Sequence, residues 1–318
     1  MDGKSKSKFV FSCTPWVGKL VSMGSKIALV FGSGQVARAL YQAGMPGWKV
    51  VLVPHSAVDI RSSESVRSVV EKERCSIIIN AAAFTNVENS EISSDECYAV
   101  NSDGPANIAI AAAAYNLPML HLSTDYVFDG GKSGKYTELD LPNPKNVYGS
   151  SKFSGERRVQ ELIDRYIILR TSWIFSLEGT NFLNKMLSSL SLHQEVRVVG
   201  DQIGCPTPAI SIAEVLLGIS EGIVGGRNEW GLYHYCGMPQ TSWYGFAETI
   251  FLGAEKRGLR VPRLTQISTG EYESLVDRPQ QVVMECTKIK DIWGIEQPDW
   301  RPRVHEFLER KWPKGNLE

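Results

Sequence analysis

The sequence lacks several features that define large classes of proteins. It contains no uninterrupted apolar run of about 18 residues, so no transmembrane helix is expected. Its 34 Lys and Arg side chains are balanced by 35 Asp and Glu, for a net charge of −1, which argues against a nucleic-acid-binding protein. Its six cysteines include no C-x-x-C pair, so reduced thiols in a cytoplasmic protein are favoured over disulfides or a structural metal site.

The composition is that of an ordinary globular protein. Of the 318 residues, 43% are hydrophobic and 22% are charged, which suffices to bury a large core without cross-links. Residues 1–24 contain lysine, serine and glycine but no arginine and no sustained apolar stretch. They are interpreted as a flexible extension rather than a secretory signal or a transit peptide.

Short apolar runs alternate with helical patterns over the first half of the chain. Strands buried on both faces of a parallel sheet are predicted at 27–31, 49–53, 77–79, 117–122 and 166–170. Helices are predicted between them, at 35–42, 63–73, 94–115 and 148–163. The alternation indicates an α/β fold with a Rossmann-type doubly wound parallel sheet over 25–172 and a return near 208–232. Residues 173–318 are expected to form mainly a smaller C-terminal substrate-binding lobe.

A glycine-rich hexapeptide follows the first predicted strand and opens the first predicted helix. It reads Gly32-Ser33-Gly34-Gln35-Val36-Ala37, the G-x-G-x-x-A pattern of dinucleotide-binding turns. Gly32 would allow the tight turn, and Gly34 would allow the backbone to approach a pyrophosphate. The free N–H groups of the helix N-terminus would then face the phosphates, so a bound dinucleotide is predicted.

The end of the second predicted strand bears on which dinucleotide binds. NAD usually meets an acidic residue there. Here the strand ends in Val53-Pro54-His55-Ser56, and the first carboxylate after it is Asp59. This favours NADPH, or the use of both NADPH and NADH, and makes His55 and Ser56 candidate contacts of a 2′-phosphate.

A tyrosine and a lysine are spaced to share one face of a predicted helix. Tyr148 and Lys152 lie at i and i+4, and Thr124 lies at the carboxyl end of a predicted strand, where open α/β sheets place ligands. Free tyrosine has a pKa near 10, so it needs a nearby cation, such as Lys152, to work near neutrality. In this interpretation Thr124 holds a substrate carbonyl oxygen and Tyr148 donates a proton as hydride reaches the carbon.

Longer motifs narrow this chemistry to a family. They are residues 80–85 (NAAAFT), 122–130 (LSTDYVFDG), 146–152 (NVYGSSK), 170–173 (RTSW), 201–207 (DQIGCPT), 231–234 (GLYH), Trp243 and 278–279 (RP). With them, residues 26 to about 310 resemble the dTDP-4-dehydrorhamnose reductases of the extended short-chain dehydrogenase/reductase superfamily. The resemblance implies NAD(P)H-dependent reduction of the C4 ketone of dTDP-4-dehydro-6-deoxy-L-mannose to dTDP-L-rhamnose, a step in nucleotide-sugar and polysaccharide biosynthesis.

The resemblance also implies roles for individual residues. It makes Thr124, Tyr148 and Lys152 the catalytic residues. Cofactor contacts are implied, besides Tyr148 and Lys152, for Gly32, Gly34, Gln35, Val36, Asp59, Ile60, Ala81, Ala82, Ala83, Thr85 and Asn101. Substrate contacts are implied, besides Thr124, for Val87, Glu88, Asp125, Tyr126, Trp173, Asn181, Gln202 and Arg278.

Departures from the family pattern leave alternatives open. Glu88 stands where the family usually has aspartate, which would reshape the sugar pocket. Ala39 stands where some members place an acid for a Mg²⁺-linked dimer, so no metal and a monomer or weak homodimer are expected. One alternative function is another nucleotide-sugar reductase or epimerase; a 4,6-dehydratase would usually have two acids after Thr124, where only Asp125 is present. The other is a non-catalytic regulatory subunit like that of methionine adenosyltransferase.

Overall fold

A parallel six-stranded sheet organises the computed structural model, which describes residues 26–313. In spatial order from one edge the strands are β2 (Trp48–Val53), β1 (Lys26–Phe31), β3 (Ile77–Asn80), β4 (Met119–Thr124), β5 (Tyr166–Thr171) and β10 (Gly231–His234), numbered along the chain. The central strands are apolar and buried on both faces, as helices on both sides of a parallel sheet require. This confirms the predicted Rossmann-type α/β fold.

Helices cover both faces of the sheet. On one face α1 (Gln35–Ala43) packs beside α8 (Ala209–Val224), and the core there includes Leu40, Ile212 and Tyr233. On the other face lie α2 (Ser63–Glu73), α5 (Gly104–Ala114) and α6 (Val147–Leu162). Their core includes Val66, Ile108 and Val159.

Two predicted elements differ from the structure. The strand expected at 117–122 begins at Met119, because Asn116 takes a left-handed conformation (φ +51°) and the Leu117 amide closes the preceding helix onto the Ala112 carbonyl. The helix expected over 94–115 is not a single α-helix. After α3 (Val87–Ile92) it consists of α4 (Ser94–Tyr98), a π-helical turn (Ala99–Asp103) and α5.

The chain after residue 173 builds short strands and helices around a separate core. Its elements are β6 (Ile174–Phe175), α7 (Phe182–Leu192), β7 (Glu195–Val199), β8 (Ile203–Gly204), β9 (Thr207–Pro208), β11 (Thr241–Ser242), α9 (Trp243–Glu255), β12 (Arg263–Ile267), α10 (Thr287–Trp293) and α11 (Trp300–Lys311). Phe175, Phe246 and Trp300 lie in this core. Helix α8, strand β10 and helix α10 pack instead with the sheet, where β10 pairs with β5 and Ile289 of α10 joins the core on the face that α1 covers.

A buried ion pair fixes α6 against the sheet. Glu156 on α6 receives two hydrogen bonds from the Arg170 guanidinium on β5, at 2.6 and 2.8 Å, and both side chains are at most 2% exposed. His234 lies beside Arg170, and burial, helped by that positive charge, lowers the pKa of His234 to about 3. His234 is therefore neutral and can accept from the guanidinium.

The remaining expectations concern thiols, metals and membranes. Cys75, Cys97, Cys205, Cys236 and Cys286 are free thiols, whereas Cys13 and the predicted extension at 1–24 lie outside the described residues. Between residues 26 and 313 no group of His, Cys, Asp and Glu side chains is arranged to hold a metal ion. In the same range no helix has the length and apolar character needed to cross a bilayer.

Candidate active site

A cleft of about 690 Å³ opens at the carboxyl ends of β1, β3 and β4. Strand β2 lies on one side of β1 and β3 on the other, so the chain changes direction across the sheet at this point. Open α/β sheets leave a crevice for ligands at such a position. The cleft runs from the turn after β1, past Thr124 and Tyr148, to Trp173 and Arg278.

The turn after β1 forms one wall of the cleft. Gly32 has φ +116°, and a Cβ there would lie 2.9 Å from the Ala81 carbonyl carbon, so glycine is required by the fold itself. Gly34 has ordinary φ, and a Cβ there would meet nothing within 4 Å. Gly34 caps α1 without a side-chain hydrogen bond, so the first amides of α1 remain available to an anion in the cleft.

The segment after β3 forms the wall facing that turn. Ala81, Ala82, Ala83 and Thr85 line the cleft. Asn80 holds their backbone by accepting from the Ala82 amide, and its side-chain amide donates to His121 Nδ1 at 3.1 Å. Burial lowers the pKa of His121 well below its ordinary value, so the ring is neutral and can accept this bond.

Asn101 lies behind this wall rather than in it. Its side-chain oxygen accepts from the Phe84 amide at 2.8 Å, and its side-chain nitrogen donates to the Phe84 carbonyl at 3.1 Å. Asn101 is fully buried. It therefore fixes the shape of the cofactor-facing segment without lining the cleft.

The end of the cleft beyond β2 is rich in charge. Asp59 and Ile60 line it, together with His55 and Arg61, while Ser56 does not. Arg38 on α1 also lines the cleft, where its guanidinium pairs with Glu178 at 3.2 Å. Arg61 donates to both oxygens of Asp59 at 2.7–2.9 Å, and this pairing holds the pKa of Asp59 at about 2. Arg38 and Arg61 were not predicted to lie in the site, because neither belongs to a recognisable motif.

Thr124, Tyr148 and Lys152 converge at the centre of the cleft. Helix α6 begins beside β4 because Asn146 caps it, accepting from the Gly149 amide at 2.8 Å. A Cβ at Gly149 would lie 2.2 Å from the Tyr126 carbonyl oxygen, so glycine lets the helix approach the turn after β4. Lys152 Nζ donates to the Leu122 carbonyl at 2.7 Å.

Burial controls the protonation of this group. It raises the pKa of the Tyr148 phenol well above its ordinary value, against a hydrogen bond with Thr124 that lowers it. Burial also lowers the pKa of Lys152 to about 8, partly offset by the Glu156 carboxylate. Without a ligand, Tyr148 thus holds its proton at neutral pH, the state that a proton donor needs.

A hydrogen-bonded cluster closes the far side of the cleft. The Arg278 guanidinium donates to the Tyr126 hydroxyl at 2.9 Å and to Glu88 at 2.7 Å. Val87, Asp125, Tyr126 and Arg278 line the cleft, whereas Glu88 lies behind Arg278. The longer arm of glutamate therefore serves to hold the arginine.

A strained tryptophan forms the end of the cleft. Trp173 has φ +43°, unusual for a large residue. Its ring stacks on that of Trp243, with centroids 3.5 Å apart and planes 6° apart, and a Cβ at Gly204 would lie 2.3 Å from its Cε2 atom. Trp243, on α9, also lines the cleft. It is part of the family resemblance, but no contact with a ligand was predicted for it.

Two further candidate residues have structural partners. Asn181 caps α7 and donates to Gln35 Oε1 at 2.7 Å, so it lines the cleft while tying α7 to the turn after β1. Gln202 is buried, donates to Thr269 at 3.2 Å and does not line the cleft. The other predicted site residues line the cleft, whereas Ser56, Glu88, Asn101 and Gln202 do not.

Comparisons with known proteins identify the family of the chain. A family model described as the RmlD substrate binding domain matches residues 25–312. A dTDP-4-dehydrorhamnose reductase of Aggregatibacter actinomycetemcomitans is 40% identical over 87% of this chain and 96% of its own length. The crystal structure of a dTDP-4-dehydrorhamnose reductase from Bacillus anthracis in complex with NADP has a TM-score of 0.83, 29% identity, and covers 90% of this chain and 100% of its own.

A more distant structure shares the fold alone. UDP-glucose 4-epimerase from Brucella ovis, solved with NAD, has a TM-score of 0.75 at 16% identity, and covers 89% of this chain and 96% of its own. Family membership follows instead from the family model and from the higher identity over nearly the whole chain. The chain belongs to the dTDP-4-dehydrorhamnose reductase family, within the RmlD group.

Proposed function

We propose that this protein reduces the C4 ketone of dTDP-4-dehydro-6-deoxy-L-mannose to dTDP-L-rhamnose. The observation that carries the proposal is the convergence of Thr124, Tyr148 and Lys152 in a cleft that reaches a glycine turn at one end and Arg278 at the other. The name of its relative at 40% identity supports the same reaction. The described strands and helices support a division in which the sheet holds the cofactor and the chain after residue 173 supplies most of the sugar pocket.

The cleft fits a nicotinamide dinucleotide. The open space at Gly34 and the free amides of α1 suit a diphosphate, with Gln35 and Val36 beside it. Ala81, Ala82, Ala83 and Thr85 would flank the cofactor, and Asp59 and Ile60 would lie beside the adenine. When bound, the reduced nicotinamide supplies hydride.

The charges beyond β2 favour NADPH over NADH. His55 and Arg61 bring imidazole and guanidinium nitrogen atoms to that end of the cleft, and Arg38 lines its wall from α1; Arg side chains suit a phosphate. The Asp59 carboxylate is taken by Arg61, so it is a poor acceptor for a free ribose hydroxyl. The relative solved with NADP supports this choice.

Tyr148 would donate the proton that completes the alcohol. It is half-buried and protonated in the cleft, next to Thr124, which would hold the same carbonyl oxygen. Lys152 lies one helical turn from Tyr148 and would contact the nicotinamide ribose while its charge stabilises the phenolate left behind. Substrate contacts are proposed for Val87, Asp125, Tyr126, Trp173, Asn181 and Arg278, and supporting roles for Asn101, Glu88 and Gln202.

Turnover of the keto-sugar nucleotide tests this function. Loss of NADPH absorbance should follow the addition of freshly made dTDP-4-dehydro-6-deoxy-L-mannose. Tyr148→Phe should lower kcat by about 100-fold or more, since general acid catalysis contributes about that much. Tyr136→Phe is the matched control, because Tyr136 donates to Asp129 outside the cleft, and it should keep wild-type turnover.

Other outcomes identify the alternative functions. NADPH binding with no turnover of this substrate, but turnover of another keto-sugar nucleotide, would assign a different nucleotide-sugar reaction. NADPH binding with no turnover of any such substrate would favour a regulatory subunit. We also propose that the protein works in the cytoplasm as a monomer or weak homodimer, in keeping with its free thiols and with the apolar Ala39 on α1.

A further inference from the structure

The Thr124 hydroxyl has a single proton, for which Asp125 competes with any acceptor in the cleft. Its Oγ1 accepts a hydrogen bond from the Tyr126 amide at 3.2 Å and lies 3.1 Å from Asp125 Oδ1. A hydroxyl has one proton and two lone pairs. The amide occupies one lone pair, and the remaining neighbours of Thr124 Oγ1 are Asp125 and the Tyr148 hydroxyl. The protonation state of Asp125 therefore decides whether the Thr124 proton points at Asp125 or toward Tyr148 and the cleft.

The two states of Asp125 have opposite consequences. An ionised carboxylate can only accept, so it takes the Thr124 proton and leaves none for a carbonyl oxygen in the cleft. A protonated carboxyl can donate to the second lone pair of Thr124 Oγ1. The Thr124 proton is then free to turn toward the cleft, where Tyr148 also lies.

The surroundings of Asp125 favour the protonated state. Asp125 is 4% exposed, and burial raises its pKa to about 7 even though Thr124 and nearby amides donate to it. The titratable and charged groups around Asp125 are Tyr126 in its own turn, Tyr148 and Lys152 on α6, and the pair of Arg278 and Glu88 beside Tyr126. The two cations are engaged elsewhere: Lys152 donates to Leu122, and Arg278 donates to Tyr126 and Glu88.

We propose that Asp125 is a positioning residue that works in its protonated form, donating to Thr124 so that the Thr124 proton is directed at the substrate carbonyl oxygen. This inference rests on the proposed reduction and deepens it. Thr124 and Tyr148 then donate to the same oxygen. Tyr148 gives up its proton to form the alcohol, whereas Thr124 and Asp125 keep theirs.

The pH dependence of kcat/KM tests the proposal. The measurement covers about pH 5 to about pH 9. Once the pH exceeds the pKa of Asp125, the wild-type kcat/KM should fall about tenfold per pH unit. Asp125→Asn carries an amide that donates to Thr124 at every pH, so it should remain active and lose this fall between neutral pH and the pKa of Lys152. Asp291→Asn, at an exposed position on α10, is the matched control and should keep the wild-type profile.

An infrared titration gives a second readout that needs no turnover. With NADPH bound, the wild type should show the carbonyl stretch of a protonated carboxyl that disappears as pH rises through neutrality and is missing from Asp125→Asn. If Asp125→Asn keeps the wild-type fall in kcat/KM, or if the wild type shows no such band, the proposal is overturned. If the wild type never reduces the keto-sugar, the proposed function fails instead, and the infrared titration alone decides the state of Asp125.

Discussion

Gly32 and Gly34 lie two residues apart in one turn but face different surroundings. Gly32→Ala would combine a positive φ with a Cβ 2.9 Å from the Ala81 backbone, so the free energy of unfolding should fall by about 1–3 kcal/mol. Gly34→Ala meets open space, so stability should change by less than about 1 kcal/mol. Its Cβ would enter the space proposed for the diphosphate, and NADPH binding should weaken.

Urea unfolding and NADPH titration of both variants separate the two effects. The predicted contrast between a structural role for Gly32 and a binding role for Gly34 would be wrong if Gly34→Ala bound NADPH as tightly as the wild type or unfolded as readily as Gly32→Ala. The glycine pattern was readable in the sequence because both residues lie in one short motif. Arg38 and Trp243 were not assigned to the site, because only the folded chain brings them to the cleft.

At the scale of elements, the contact between α6 and the π-helical turn positions the tyrosine and lysine of the cleft. A Cβ at Gly155 would lie 2.1 Å from the Asn101 carbonyl oxygen. Gly155→Ala should therefore lower the free energy of unfolding by about 1–3 kcal/mol and reduce turnover by shifting α6. Gly218 on α8 meets nothing within 4 Å, so Gly218→Ala should stabilise the protein by about 0.5–1 kcal/mol.

Urea unfolding of the two alanine variants checks this contrast. Equal effects at Gly155 and Gly218 would contradict the role of close helix packing. The π-helical turn was not predicted because its residues continue the helical pattern on both sides. Its position depends on contacts distant in sequence, such as Ile60, whose Cδ1 would lie 2.5 Å from a Cβ at Gly104.

At the scale of the whole molecule, the ion pair between Glu156 and Arg170 joins the helix that carries Tyr148 to the interior of the sheet. Arg170→Met would leave the Glu156 carboxylate buried without its partner, and unfolding free energy should fall by about 3–5 kcal/mol. The double variant Glu156→Leu with Arg170→Met removes both charges and should recover most of the loss. Urea unfolding measures both, and a single variant costing less than about 1 kcal/mol would refute the expectation.

The parallel sheet could be predicted from the sequence, whereas the lobe after residue 173 could be described only in outline. The sheet strands are continuous apolar runs, which local pattern reveals. Strands such as β6, β8, β9 and β11 have only two residues each, and they exist because distant segments pair. The sugar end of the cleft depends on the same long-range contacts, since Tyr126 and Arg278 are 152 positions apart.

The stacked rings of Trp173 and Trp243 give the protein an optical property of its own. Two indoles with parallel planes 3.5 Å apart between centroids couple their electronic transitions, so near-ultraviolet circular dichroism and emission depend on their mutual orientation. Both rings line the cleft. A ligand that separates or covers the two rings would change the near-ultraviolet circular dichroism and the tryptophan emission. Binding beside Trp173 and Trp243 can therefore be followed in the unlabelled protein.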